Sequence, residues 1–192
     1  MGLQKFFMDK PLMVEGISKF LEGMRLDLND QHLVRTPERV AKAWMEEFGK
    51  GYAFAEDDIE RLLSVEFKEK YDEMVVVKEV PFLSHCSHHL AQFSGIGKLG
   101  YVPDKKVVGL SKLGRLLDVF AQRLQIQERL TNQVAEALMK YLKPRGVGVV
   151  LEASHSCMCH RGVKKPGSKM ITSCLLGCMR DDPKAREEFL NF

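Results

Sequence analysis

No apolar stretch in this sequence approaches the roughly 20 consecutive residues of a membrane-spanning helix, so no membrane partner is expected. Internal repeats and low-complexity tracts are absent too. Charge of one sign is barely in excess: the formal net charge is +3, too small to suggest nucleic acid as a partner. The opening residues, Met1 to Phe6, hold no long apolar signal core, and Phe6 breaks the myristoylation pattern, so the expected location is the cytoplasm. Cysteine is scarce, odd in number and unevenly placed, at positions 86, 157, 159, 174 and 178. In a cytosolic chain that pattern fits metal ligation and buried thiols better than disulfides.

What remains is an ordinary globular composition. With 45% hydrophobic and 29% charged residues over 192 positions, the chain can bury a core of its own. Apolar residues at helical spacing predict a helix from Leu12 to Leu26. Thr36-Pro37 announces a second, with Thr36 as N-cap, running through Val40, Trp44 and Phe48 to Gly49 and Gly51. The polar stretch from Ala53 to Tyr71 reads as a short helix with loops. From Met74 the character changes. Val75–Val77 and Ile96–Val102 read as strands, the latter ending in a turn at Pro103-Asp104-Lys105-Lys106. Helices at about Ser111–Arg123 and Ile126–Leu142 follow. Strands at Gly146–Glu152 and Met170–Met179 and a short helix at Pro183–Leu190 complete an α+β pattern.

Two segments about 70 residues apart carry metal chemistry: Cys86-Ser87-His88-His89 and His155-Ser156-Cys157. Thiolate and neutral imidazole suit zinc, and three protein ligands leave the fourth zinc position open, as hydrolysis requires. Cys86 and His89, three apart, can be aimed inward by one tight turn. His88 does not share that vector and is left free to carry protons. His85 reads as structural or exposed. On a strand, His155, Cys157 and Cys159 would share one face, so spacing does not choose between Cys157 and Cys159. Cys174 and Cys178 read as core. Lys112 and Arg115 are three apart on a predicted helix and share a face, and Arg39 and Lys42 repeat that spacing. A zinc-stabilised binding module would need closer ligand spacing and a strong basic face.

Five stretches together resemble the type I, zinc-dependent GTP cyclohydrolase I family. They are Cys86-Ser87-His88-His89-Leu90, Gly100-Tyr101-Val102-Pro103, Val108 through Arg115, Phe120 through Thr131, and His155-Ser156-Cys157-Met158 with Arg161-Gly162. Thr36 through Lys42 is similar as well. The resemblance implies a tunnelling fold: an antiparallel sheet with two helices on one face, sheets from several subunits forming a barrel. It divides the chain into an N-terminal helical region, 1–72, and a catalytic domain, 73–192. It implies a homodecamer of two pentamers with active sites at subunit interfaces, and zinc held by Cys86, His89 and Cys157. The implied reaction is conversion of GTP and water to 7,8-dihydroneopterin triphosphate and formate. By the same resemblance His155 protonates purine N7, while His88 and Ser111 serve later proton transfers. Glu128 and Gln127 would recognise guanine, and Lys112, Arg115, Arg161, Arg39 and Lys42 would bind the triphosphate. The chain departs from the family pattern in three places: Ser87 stands where the family has Glu, Gln92 where many members have Pro, and the pair Cys159-His160 adds ligand types.

Overall fold

Proline and an acidic cap start the first helix, α1 (Lys10–Gly23): the Asp9 carboxylate accepts from the Leu12 amide at 3.0 Å and Pro11 sits in the first turn. The computed structural model describes residues 4–64, 66–67, 71–104 and 106–192. No residue of α1 is buried. In α2 (Thr36–Ala43) the expected cap is corrected. Thr36 lies inside the first turn and its hydroxyl donates to the His32 carbonyl, leaving Arg35 at the cap position without a side-chain bond. The chain then widens into one π-helical turn, Trp44–Phe48, and tightens into a 3-10 turn, Lys50–Ala53. Helix α3 (Glu56–Leu63) follows, with Asp58 bonding back to the Ala55 amide. Lys105, within the expected turn at 103–106, lies outside the described residues.

The strands are β1 (Glu66–Phe67), β2 (Val75–Cys86), β3 (Gln92–Val102) and β4 (Val107–Val108). Helix α4 (Ser111–Ala121), strand β5 (Leu124–Gln125) and helix α5 (Gln127–Leu142) come next. Then follow β6 (Gly146–His155), the single turn α6 (Ser156–Cys159), β7 (Met170–Gly177), α7 (Cys178–Asp181) and α8 (Pro183–Asn191). Strands β1 and β4 form a small ladder, and the main sheet runs β5-β2-β3-β6-β7. All its pairings are antiparallel except β5 with β2.

Strand β2 is far longer than expected because a bulge between Val77 and Val80 resets its alternation, with Glu79 at φ 59°. On β6, Val147, Val149, Leu151 and Ala153 alternate into the core. Helices α4 and α5 meet them with Leu113, Leu116, Leu117, Leu130, Val134 and Leu138, all fully buried. Two helices therefore cover one face of an antiparallel sheet, the expected α+β architecture. A smaller cluster on Phe189 and Met179 covers the other face. Phe189 lies over the paired glycines Gly100 and Gly148, where an added Cβ would come within 2.9 and 2.6 Å of its ring. Among the described residues no helix is long and apolar enough to cross a membrane.

Candidate active site

Three neighbouring strand ends build the site. Strand β2 finishes on Cys86, and a tight turn follows in which the His89 and Leu90 amides both donate to the Cys86 carbonyl, Leu90 taking φ 55°. The turn is pinned by Cys86 N–H to the Ala91 carbonyl at 2.8 Å and by Ser87 N–H to the Gln125 carbonyl at 2.9 Å. It folds both histidines back on the thiol: Cys86 Sγ lies 3.7 Å from His89 Nδ1 and 3.6 Å from His88 Nδ1.

Two strands away, β6 ends at His155, and the chain turns at once into α6. Residues 156–159 are therefore a helical turn, to which the alternation of a strand does not apply, and the two cysteines part company. Cys157 turns toward Cys86, and the ligand atoms of Cys86, His89 and Cys157 all lie within 4.8 Å of one another. Cys159 is buried in its own loop, its Sγ 3.3 Å from Ser154 Oγ and 3.8 Å from the Ser168 carbonyl. Cys86 is buried, Cys157 half-buried and His89 exposed, so the cluster opens toward solvent on its imidazole side. Burial pushes the Cys157 thiol up, the neighbouring Cys86 adds to this, and Arg161 opposes it. Two sulfurs pressed together resist ionisation unless a cation joins them, and two thiolates with one imidazole are a donor set that suits zinc.

His155 stands beside this cluster on a rigid mount. Its ring stacks on Phe93, centroids 4.4 Å apart and 3° from parallel, and its Nε2 is 2.8 Å from Gln127 Oε1. Gln127 is buried, and its amide nitrogen donates to the carbonyls of Leu151 and Met170, both at 3.0 Å, and to Thr172 Oγ1 at 3.1 Å. Three acceptors around that nitrogen fix the amide, so its oxygen must accept and His155 donates from Nε2. The chain closes through Thr172 and Thr131 hydroxyls, 2.6 Å apart, and Thr131 Oγ1 to the Gln127 carbonyl at 2.8 Å. Burial lowers the His155 pKa, while Glu128, exposed in the first turn of α5, raises it. Phe93, which supports this ring, drew no notice as a sequence feature; its only signal is an aromatic near the start of a strand.

The remaining candidates lie elsewhere. Ser111, Lys112 and Arg115 occupy the start of α4, where Gly114 faces Val80. Val80 is six strand positions before Cys86, about 20 Å at about 3.3 Å per residue. Arg39 and Lys42 are exposed on α2, Lys42 pairing with Glu46 at 3.7 Å. Arg161 is exposed just past α6, near enough to favour the Cys157 thiolate. His85 is enclosed rather than exposed, its ring 4.7 Å from those of both Trp44 and Phe48. Cys174 packs half-buried against the main core, whereas Cys178 starts α7 and packs on the second cluster.

The family model described as GTP cyclohydrolase I matches residues 13–192. GTP cyclohydrolase 1 of Rattus norvegicus is 48% identical over 180 residues, covering 94% of this chain and 73% of the rat protein. The Saccharomyces cerevisiae GTP cyclohydrolase 1 is 50% identical, over 91% of this chain and 70% of the yeast protein. The Thermobifida fusca GTP cyclohydrolase 1 is 44% identical, over 99% of this chain and 91% of its own length.

Proposed function

We infer that this chain, which belongs to the GTP cyclohydrolase I family, opens the purine ring of GTP at C8 by hydrolysis. Formate leaves and the remainder rearranges to 7,8-dihydroneopterin triphosphate. The observation that carries this reading is an open Cys86-His89-Cys157 cluster beside a histidine mounted on a buried amide. These three residues would hold zinc, which when bound supplies a Lewis acid that makes water a nucleophile near neutral pH.

The chain's own residues do the rest. His155 has its Nε2–H committed to Gln127, so it takes and gives a proton at Nδ1. Protonating purine N7 from there draws electron density from C8 and favours attack. A half-buried imidazole with a lowered pKa gives up that proton readily near neutrality. His88, beside Cys86 and exposed, and Ser111 serve the proton transfers after ring opening. Glu128, at the mouth of the same end, accepts from guanine N1–H and the exocyclic amine; adenine, with a lone pair at N1, is repelled. Gln127 holds His155 in register and supports that pocket.

Lys112, Arg115, Arg39, Lys42 and Arg161 bind the triphosphate. Lys112 and Arg115 lie on the first turns of α4, where Gly114 faces Val80, six strand positions before Cys86. We place them in a neighbour's site, in a homodecamer of two pentamers. In that assembly 73–192 forms the catalytic domain and 1–72 a helical region. Incubating zinc-loaded protein with GTP should release formate and a product that fluoresces as neopterin after oxidation. Product no greater than in a metal-free control would refute the assignment.

A further inference from the structure

Strand β5 has only two residues, Leu124 and Gln125, which pair in parallel with His85 and Cys86. Two ladder positions hold a strand weakly by themselves. Yet β5 carries a tie of the metal turn: the Gln125 carbonyl accepts from the Ser87 amide at 2.9 Å, between Cys86 and His89. Gln125 and Arg129 stand in the same stretch as Gln127 and Glu128, and the proposed chemistry gives them no part.

The Gln125 side chain is what fastens β5. It is 1% exposed, and a primary amide so enclosed is costly unless its polar atoms are met. They are met on both sides. Its Nε2 donates to the Phe120 carbonyl at 2.9 Å and to Gln133 Oε1 at 2.8 Å, and its Oε1 accepts from Arg129 Nε at 2.8 Å. A carbonyl can only accept and a guanidinium can only donate, so this amide has one orientation. Arg129 also donates to the Leu124 carbonyl at 3.0 Å, so it grips both residues of β5. Phe120 lies in the last turn of α4, where carbonyls lack helical partners, and Arg129 and Gln133 share a face of α5 at four-residue spacing. If Gln125 served only to fill space, a methionine would do so without three bonds to satisfy.

We propose that Gln125 is a positioning residue for the metal turn, with Arg129 as its support. The clamped side chain fixes the backbone carbonyl, the carbonyl fixes the Ser87 amide, and the turn then holds Cys86 and His89 ready before a metal ion arrives. The tie runs through the backbone at Ser87, so it does not depend on which side chain stands there. This inference rests on the reading of Cys86, His89 and Cys157 as a zinc site, and it adds residues that touch neither metal nor substrate.

The test uses the full-length protein with zinc itself as probe, its affinity read by competition with a chromophoric chelator. Gln125→Met should weaken zinc by about tenfold, the low end for losing the outer support of a metal site. Arg129→Ala, at an exposed position on α5, should weaken it severalfold without touching the core, and Arg129→Lys should restore part of that loss. Tyr101→Phe, which breaks a buried bond at the opposite end of the sheet, should lower stability and leave zinc affinity unchanged. A merely structural Gln125 would behave as Tyr101 does. Unchanged zinc affinity in both Gln125→Met and Arg129→Ala, whatever their thermal midpoints, would overturn this proposal alone. Failure of the unaltered protein to take up zinc would overturn it together with the reading on which it rests.

Discussion

The two ends of the main sheet differ in what they carry. At one end β2 and β6 finish on Cys86 and His155, with Phe93 near the start of β3 between them, and their turns carry His88, His89 and Cys157. At the other end Tyr101 is fully buried and bonded to the Val108 amide at 3.0 Å, and the nearby polar groups are Ser111, Lys112 and Arg115 on α4. Metal-binding side chains are gathered at one end, with the cation Arg161 close to Cys157, while Lys112 and Arg115 stand at the other. Under the proposed function the two ends are half-sites of neighbouring subunits, which makes assembly a condition of activity.

The largest expected effect comes from removing a ligand at the first end. Cys157→Ala should lose bound metal and all product, while Cys159→Ala should retain metal, since its sulfur is already engaged by Ser154 and Ser168. Metal analysis of the purified variants decides, and the reverse pattern would dissolve the contrast between the two cysteines. Next in size, His155→Ala should keep its zinc yet slow ring opening by about 10²- to 10⁴-fold, the usual scale of general acid catalysis. At the opposite end, Lys112→Ala should leave zinc untouched and raise KM for GTP by about tenfold or more, from one lost charged contact. If Lys112→Ala also shed metal, the two ends would not be independent.

A smaller effect separates the ends by pH in the metal-free protein. Burial lowers the pKa of His155 and of His85 below the ordinary 6.5. The unfolded chain therefore binds protons first, and stability falls as pH drops below about 6.5 through the folded values. Tyr101 is the opposite case: burial raises its pKa above 10.0, so its contribution is complete below that pH and lost as pH rises through the folded value. Denaturant unfolding across pH should show an acid slope reduced in His155→Gln and an alkaline slope reduced in Tyr101→Phe. Slopes unchanged in both variants would mean that neither group carries the linkage.

Much of this was legible in the sequence, for physical reasons that also mark its limits. The 3.6-residue rhythm of Leu113, Leu116, Leu117 and Phe120, and of Leu130, Val134 and Leu138, announces two helices that bury one face, and they do. The metal cluster was readable because Cys86 and His89 are local to one turn. Cys157 against Cys159 was not, since period-2 reasoning fails where β6 stops at His155 and a helical turn begins. The full length of β2 was hidden by Lys78-Glu79 at the bulge. His85 stays open between structural and exposed on sequence alone, because its enclosure depends on the π-helical turn, a non-local partner that spacing does not reveal. Nothing in the order of residues placed the start of α4 beside Val80, six strand positions before Cys86; that follows from α4 packing along β2.

The division of the site between two subunits is tested most directly by complementation. Cys157→Ala subunits, inactive alone, and Lys112→Ala subunits, weakened through KM alone, are co-assembled and assayed for formate release at low GTP. Each mixed interface that pairs an intact metal end with an intact α4 restores one complete site, so activity well above the sum of the separate variants is predicted. Mixed assemblies no more active than that sum would contradict the division and require every group to act from a single chain.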